Sequence, residues 1–318
     1  MVFDLSCLLT FSIINSIISS AKGLLEMKCL LIVNPRSGKM KIQNELIHVI
    51  KLLNESGYEV TVEVTRYHNH ARELVAKLRY VYDLIICSGG DGTLNQVVSG
   101  LVDSGKRTSI GYIPSGSTND YANTLGLSSN ILEATTNIIN GKSYLLDVGK
   151  LDNNYFNYIA SFGLFSSVSY STPQNQKNIF GHIAYILNGL NDLANIKTYH
   201  IKGKTTESEF EGDYLLGLVM NTTSIAGLFK LDPELVNLSD GLFEVLLIKK
   251  PKDIVDRSNL VEGLINRDFS NPAFTFLKAD SIHFTLDNET SWSLDGEEVK
   301  LGKEVYISIL HQRLSLIF

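Results

Sequence analysis

From Met27 to Pro114 the chain repeats one rhythm: a short apolar run, a turn, and a segment with apolar residues at helical spacing. "KCLLIVN" (Lys28 to Asn34), "YEVTVEVT" (Tyr58 to Thr65), "YDLIIC" (Tyr82 to Cys87) and "SIGYIP" (Ser109 to Pro114) read as strands. Between them "KIQNELIHVIKLLNESG" (Lys41 to Gly57), "HARELVAKLRY" (His70 to Tyr80) and "TLNQVVSGLVDS" (Thr93 to Ser104) read as helices. Strands joined through helices run parallel, because a parallel pair needs a long crossover that a hairpin cannot supply. The expectation is an α/β domain with a parallel sheet and helices on both faces.

After about Gly141 the rhythm changes. "SYLLDVGKLDNNYFNYIASFG" (Ser143 to Gly163), "DYLLGLVMN", "GLFEVLLIK", "SIHFTLDN" and "KEVYISIL" are strand-like runs joined by turn signals, with helical patterns only around Ile179 to Ala194 and Asp253 to Ile265. Runs of this kind predict a second, mainly antiparallel β domain. The organisation expected is an extension over 1–26, a nucleotide-binding domain over 27–142 and a β-rich domain over 143–318, with the site in the cleft between the last two.

Composition sets limits. The 318 residues are 44% hydrophobic and 19% charged, an ordinary globular balance. A net charge of −6 without a dense basic run argues against nucleic acid as a partner. Three separated cysteines suggest neither a disulfide framework nor zinc, so a reducing, cytoplasmic setting is expected. "LSCLLTFSIINSII" (Leu5 to Ile18) is apolar but interrupted by polar residues and shorter than the roughly 20 residues of a membrane span. Residues 1–26, ahead of a second methionine at Met27, are read as an upstream extension or mis-chosen start; an interfacial membrane helix is the alternative.

Three strand ends carry glycine: "NPRSGK" (Asn34 to Lys39), "SGGDGTLN" (Ser88 to Asn95) and "PSGSTND" (Pro114 to Asp120). Ligands of open parallel sheets bind beyond the carboxyl ends of the strands, where glycine lets backbone approach and the N–H groups of the next helix attract anions. The spacing fits neither GxxxxGK[ST] nor GxGxxG. An aspartate between glycines would repel phosphate unless a cation intervenes, which points to Mg²⁺ with a nucleotide.

These three motifs, in this order, resemble the diacylglycerol kinase catalytic-domain family, in particular its short bacterial-type members, from about Met27 to the C-terminus. The resemblance implies a lipid kinase, in which a nucleotide domain and a β-rich lipid-binding domain phosphorylate a lipid hydroxyl with ATP. It implies ATP contacts at Asn34, Pro35, Arg36, Ser37 and Gly38, at Thr65, at Gly89, Gly90, Asp91, Gly92, Thr93, Leu94, Asn95 and Gln96, and at Ser117, where the family usually has Thr. Asp91 and Asp120 match the acidic pair associated with Mg²⁺. "SWSLDGEEV" (Ser291 to Val299) resembles the late DGE motif, with Asp295 as general base and Glu297 assisting at the nucleotide. On residues alone, "DG" reads first as a hairpin turn between two strands, and the other motifs shift the reading to the base.

"LDPELVNLSDGLFEV" (Leu231 to Val245) resembles a structural magnesium site, with Asn237, Asp240 and the Leu242 carbonyl as ligands; a type I turn with an "SDG" tip is the alternative. His68 and His70 lack acidic or cysteine neighbours and read as solvated or capping residues. The lipid implied as acceptor requires transient peripheral membrane contact, with Arg36, Lys39 and Arg66 steering toward anionic lipid. Exposed strand edges are compatible with a homodimer. Two rival functions stand: NAD-kinase-like phosphorylation of a soluble nucleotide, and a non-enzymatic nucleotide- or lipid-binding module.

Overall fold

The structure is a computed structural model that describes residues 27–38, 40–78, 82–163, 197–225, 229–230 and 236–318. The extension over 1–26 and the helical pattern at Ile179 to Ala194 lie outside the described residues.

The N-terminal part alternates as its periodicity predicts: β1 (Met27–Val33), α1 (Lys41–Glu55), β2 (Tyr58–Val64), α2 (His70–Leu78), β3 (Leu84–Gly89), α3 (Asp91–Asp103) and β4 (Ser109–Pro114). The strands lie in the order β4-β3-β1-β2 and pair in parallel. Their side chains alternate between two helical layers, the consequence of a two-residue period in a sheet covered on both sides. Cys29, Leu31, Leu84, Ile86 and Ile113 pack against Ile42, Val49 and Leu53 of α1. Leu30, Ile32, Ile85, Cys87 and Tyr112 pack against Ala71 and Val75 of α2 and Leu94, Val97 and Leu101 of α3.

Two further helices, α4 (Asp120–Leu125) and α5 (Ile131–Asn140), precede the change of rhythm. The Asn130 side chain caps α5 by accepting the N–H groups of Leu132 and Glu133 at 3.0 and 3.1 Å. Its Ile131, Ala134 and Ile138 complete the layer begun by α1.

The C-terminal part is antiparallel. Its strands are β5 (Ser143–Leu151), β6 (Asn154–Phe156), β7 (Ile159–Gly163), β8 (Tyr199–Lys204), β9 (Glu209–Met220), β10 (Ser224–Ile225), β11 (Phe229–Lys230), β12 (Phe243–Lys249), β13 (Phe274–Ala279), β14 (Ser281–Leu286), β15 (Thr290–Leu294), β16 (Glu297–Leu301) and β17 (Glu304–Ile317), with α6 (Ile254–Asn266) between β12 and β13. Aromatic rings pack together within one of its cores, with Phe162 tilted against Trp292 at 4.7 Å between ring centroids. The other core is shared: Leu218, Met220, Leu246 and Ile248 belong to the same cluster as α2 and α3.

The long β17 ties the two parts together. It pairs antiparallel with β14 and β5, shifts register between Leu310 and Leu314, and ends parallel to β4 through Leu316 opposite Ile110. Gln312, inside the shift, has φ +49°. Extra residues in a strand bend it and increase its twist, which lets β17 carry one continuous sheet from the antiparallel strands into the parallel ones.

Candidate active site

The carboxyl ends of β1, β3 and β4 are neighbours because the strands pair in register, Val33 opposite Ser88 and Ser88 opposite Ile113. The loops leaving them interlock through the backbone: Asn34 N–H donates to the Ser88 carbonyl at 2.9 Å, and Ser115 N–H to the Gly89 carbonyl at 2.8 Å. A side chain at two positions would prevent this. A Cβ on Gly116 would lie 2.6 Å from Gly90 Cα, and one on Gly38, at φ +52°, would lie 2.4 Å from the Ser115 oxygen. Asn119 closes the third loop, its Oδ1 accepting from Gly116 N–H at 2.9 Å and its Nδ2 donating to the Gly116 carbonyl at 3.0 Å.

Gly90 enters α3 in an extended conformation, and no side chain caps the helix. Its leading N–H groups therefore suit an anion. Asn34 Nδ2 donates to Thr93 Oγ1 at 2.8 Å, and Asn34 Oδ1 accepts from Arg36 N–H at 3.0 Å, so the first loop is pinned to the first turn of α3.

A cleft of about 460 Å³ opens above these loops. Asn34, Arg36, Ser37, Gly38, Thr65, Gly90, Gly92, Thr93, Gln96, Ser117 and Glu297 line it, as do Arg66, Tyr67, His68, Gly116 and Thr118. Pro35, Gly89, Asp91, Leu94, Asn95 and Asp120 do not. The Leu94 side chain is wholly within the core, because its position on α3 faces the sheet. Arg36 and Arg66, expected at the mouth to meet lipid, line this cleft beside the glycine loops. A separate hollow of about 490 Å³, lined among others by Lys197, His200 and Asp287, contains none of the glycine loops.

Asp91 turns away from the cleft. Its Oδ2 accepts Asp120 N–H at 2.9 Å and its Oδ1 accepts Tyr121 N–H at 3.3 Å, so it holds the start of α4 against the start of α3. Burial raises its pKa, and these N–H groups pull it back down. The Asp120 side chain is buried beside this junction.

The β15–β16 hairpin brings the C-terminal part to the same place. Asp295 and Gly296 are its two loop residues, with φ of +46° and +96°, the signs of a type I′ turn. The turn also buries a carboxylate. Asp295 Oδ2 accepts from Asn157 N–H at 2.6 Å and from Asn95 Nδ2 at 2.9 Å, and Oδ1 accepts from the N–H groups of Tyr158 and Ile159, both at 3.1 Å. Burial pushes its pKa up to about 6 against the opposing pull of these donors. Two residues further, at the start of β16, Glu297 enters the cleft, its Oε1 3.1 Å from where a Cβ on Gly92 would be. Its Oε2 lies 3.8 Å from His68 Nε2; burial raises its pKa and His68 lowers it. His70 instead accepts Arg66 N–H at 3.3 Å through Nδ1.

The Asn237, Asp240 and Leu242 loop is built as a turn. Asn237 Oδ1 accepts Ser239 N–H at 3.1 Å, and Asp240 Oδ1 accepts Leu242 N–H at 3.0 Å. Lys278 Nζ stands 3.9 Å from Asp240 Oδ2 and 3.2 Å from Oε1 of the buried Glu244. Asp147, buried at β5, fastens this loop to β17: Oδ2 accepts Gly241 N–H at 2.7 Å and Oδ1 accepts Gln312 N–H at 2.5 Å. Reading the chain alone does not pick out Asp147, since "LLDVG" carries no more than an acidic residue in a strand. Among the described residues, no three His, Cys, Asp or Glu side chains gather as a metal-binding group.

Residues 28–151 match the diacylglycerol kinase catalytic domain family. The chain is 36% identical over 279 residues to a diacylglycerol kinase of Staphylococcus haemolyticus, covering 85% of this chain and 82% of the relative. It is 32% identical over 277 residues to a diacylglycerol kinase of Bacillus subtilis, covering 84% and 88%. The fold is similar to the crystal structure of a diacylglycerol kinase from Bacillus anthracis str. Sterne, with a TM-score of 0.70 over 92% of this chain and 96% of that one, at 23% identity.

Proposed function

Since this chain belongs to the diacylglycerol kinase family, and is thereby a lipid kinase with ATP as donor, we propose that it phosphorylates diacylglycerol or a related lipid alcohol from Mg-ATP. With diacylglycerol the product is phosphatidate. The observation that carries this reading is the contact between Asp295 and Asn95, 200 residues apart, which brings a buried carboxylate to the helix behind the phosphate loops.

The chemistry assigns each group a task. Backbone N–H groups at Gly90 and Gly92, with Arg36 and Arg66, hold the nucleotide phosphates in the cleft. The lipid hydroxyl oxygen attacks the γ-phosphorus in line, the bond from that phosphorus to the β–γ bridging oxygen breaks, and ADP departs with the electron pair. The hydroxyl proton passes to Asp295, which is mostly ionised at neutral pH yet more basic than an exposed aspartate.

Asp91 and Asp120 do not fit magnesium as direct ligands, since neither lines the cleft and both Asp91 oxygens accept N–H groups of α4, so a cation that accompanies ATP would sit on phosphate oxygens and water. Bound there, it would neutralise charge on the phosphates. The loop at Asn237, Asp240 and Leu242 does not fit one either, because Lys278 already faces Asp240 and the Asn237 side-chain oxygen is spent on Ser239. No reaction step runs through a metal there.

Among the described residues no helix is long and apolar enough to cross a membrane. A bilayer-resident acceptor then requires peripheral contact with the membrane. The test is transfer of labelled γ-phosphate to a panel of lipid alcohols in mixed micelles, with NAD as the competing acceptor. Label on diacylglycerol is expected; label on NAD alone, or ATP binding with no transfer, would overturn the reading.

A further inference from the structure

Asp295 is held by two kinds of donor. Asn157, Tyr158 and Ile159 supply backbone N–H groups from the C-terminal part, fixed by the chain entering β7. Asn95 supplies the fourth donor, from the nucleotide-binding part. The Asn95 amide is divided, since Nδ2 also donates to the Tyr155 carbonyl at 2.9 Å, and its Oδ1 accepts from Ser99 Oγ at 3.3 Å. Each of its polar side-chain atoms is therefore committed, and the residue does not line the cleft.

We propose that Asn95 is a positioning residue for the Asp295 carboxylate, and that it carries the state of the phosphate loops to the base rather than contacting the nucleotide. This rests on the reading of Asp295 as base. Asn95 lies on α3 within a turn of Thr93, which is bonded to Asn34 of the first loop. Movement of the helix start therefore reaches the Asp295 carboxylate directly. A substrate hydroxyl needs a lone pair on Asp295. Of the four donors only Asn95 is a side chain, and it retains the Tyr155 carbonyl as partner when it yields.

A donor to a carboxylate favours the ionised form, so losing it raises the pKa. The titratable neighbours do not duplicate this effect. The Tyr121 phenol of α4 is buried and driven up, first by burial and then by the charges of Asp295 and Asp147. Glu297 on β16 faces His68 in the cleft, while Asn95 and the 157–159 backbone bear no charge.

The test uses Asn95→Leu and, as a smaller change if the first does not fold, Asn95→Ser. Turnover is followed across pH with ATP and diacylglycerol, together with KM for ATP. Titration of the Asp295 carboxyl is read apart from activity, as the infrared difference between matched proteins with and without Asp295→Asn. Expected are an acid limb and a carboxyl titration both raised by about one pH unit, with KM for ATP changed less than about twofold. A titration that stays in place overturns the proposal, as does a rise of about tenfold in KM for ATP with the limb unmoved. Full turnover in Asp295→Asn alone would remove the base reading, and the infrared titration would still decide whether Asn95 sets that carboxyl.

Discussion

Two Asp-Gly pairs, Asp91-Gly92 and Asp295-Gly296, put the same dipeptide to opposite backbone uses. The first opens a helix, and the second turns a hairpin through two residues of positive φ. Yet both aspartates do one job with their side chains, accepting backbone N–H groups from a distant segment: Asp91 from α4, Asp295 from the chain entering β7. A carboxylate that gathers N–H groups fixes the junction of two elements and is itself fixed. The difference lies in depth. Asp295 is raised to about 6 and meets no backbone donor from the phosphate loops, whereas Asp91 joins two of those loops to each other.

Asp295→Asn breaks the comparison hardest. Turnover is expected to fall about 10³-fold, the scale of a lost general base, while calorimetry finds ATP affinity within about twofold. Ionisation gives the next effect. The folded-state pKa of Asp295 is raised from 3.8 to about 6, so between those values the native protein keeps a proton that the unfolded chain has released. Raising the pH through that window costs stability, by about 3 kcal/mol at most, and Asp295→Asn should flatten this part of the urea-midpoint profile. Turnover moves the other way, rising as pH climbs through about 6 and the base ionises.

Asp91→Ala leaves the Asp120 and Tyr121 N–H groups without their acceptor. It should lower unfolding free energy by about 2 kcal/mol in urea titration, independently of ligand. The smallest effect separates the two glycines. Gly296→Ala forces a side chain onto φ +96° and should cost about 1 kcal/mol. Gly92→Ala meets only the end of the Glu297 side chain and should stay within about 0.5 kcal/mol of the parent, a contrast that thermal melting can read.

The legible parts of this protein are those governed by short-range rules. β4 runs over the residues its pattern predicts, and α1 and β2 end within two residues of theirs. α5 is also within reach of such rules, because Asn130 with Glu133 is a capping pattern ahead of apolar residues at helical spacing. Leu94 shows the limit of a motif: the stretch that marks the phosphate loop continues into a helix with one face in the core, and a motif does not say which residues face inward. Likewise a hairpin turn at Asp295 and a buried carboxylate there are not alternatives, since the turn is what aims the carboxylate inward.

By itself, then, the chain of residues determined the alternation of strands and helices over 27–114, the antiparallel character of the strands beyond Gly141, and three glycine loops at one sheet edge. Each depends on periodicity or turn chemistry within a few residues. Only the tertiary structure decided that Asp295 meets Asn95, that Asp91 fastens α4, that Asp147 ties the 237–242 loop to β17, and that β17 joins the parallel and antiparallel strands in one sheet. Those contacts join residues far apart in the chain, where strand register and shared core packing, and no local preference, select the partner.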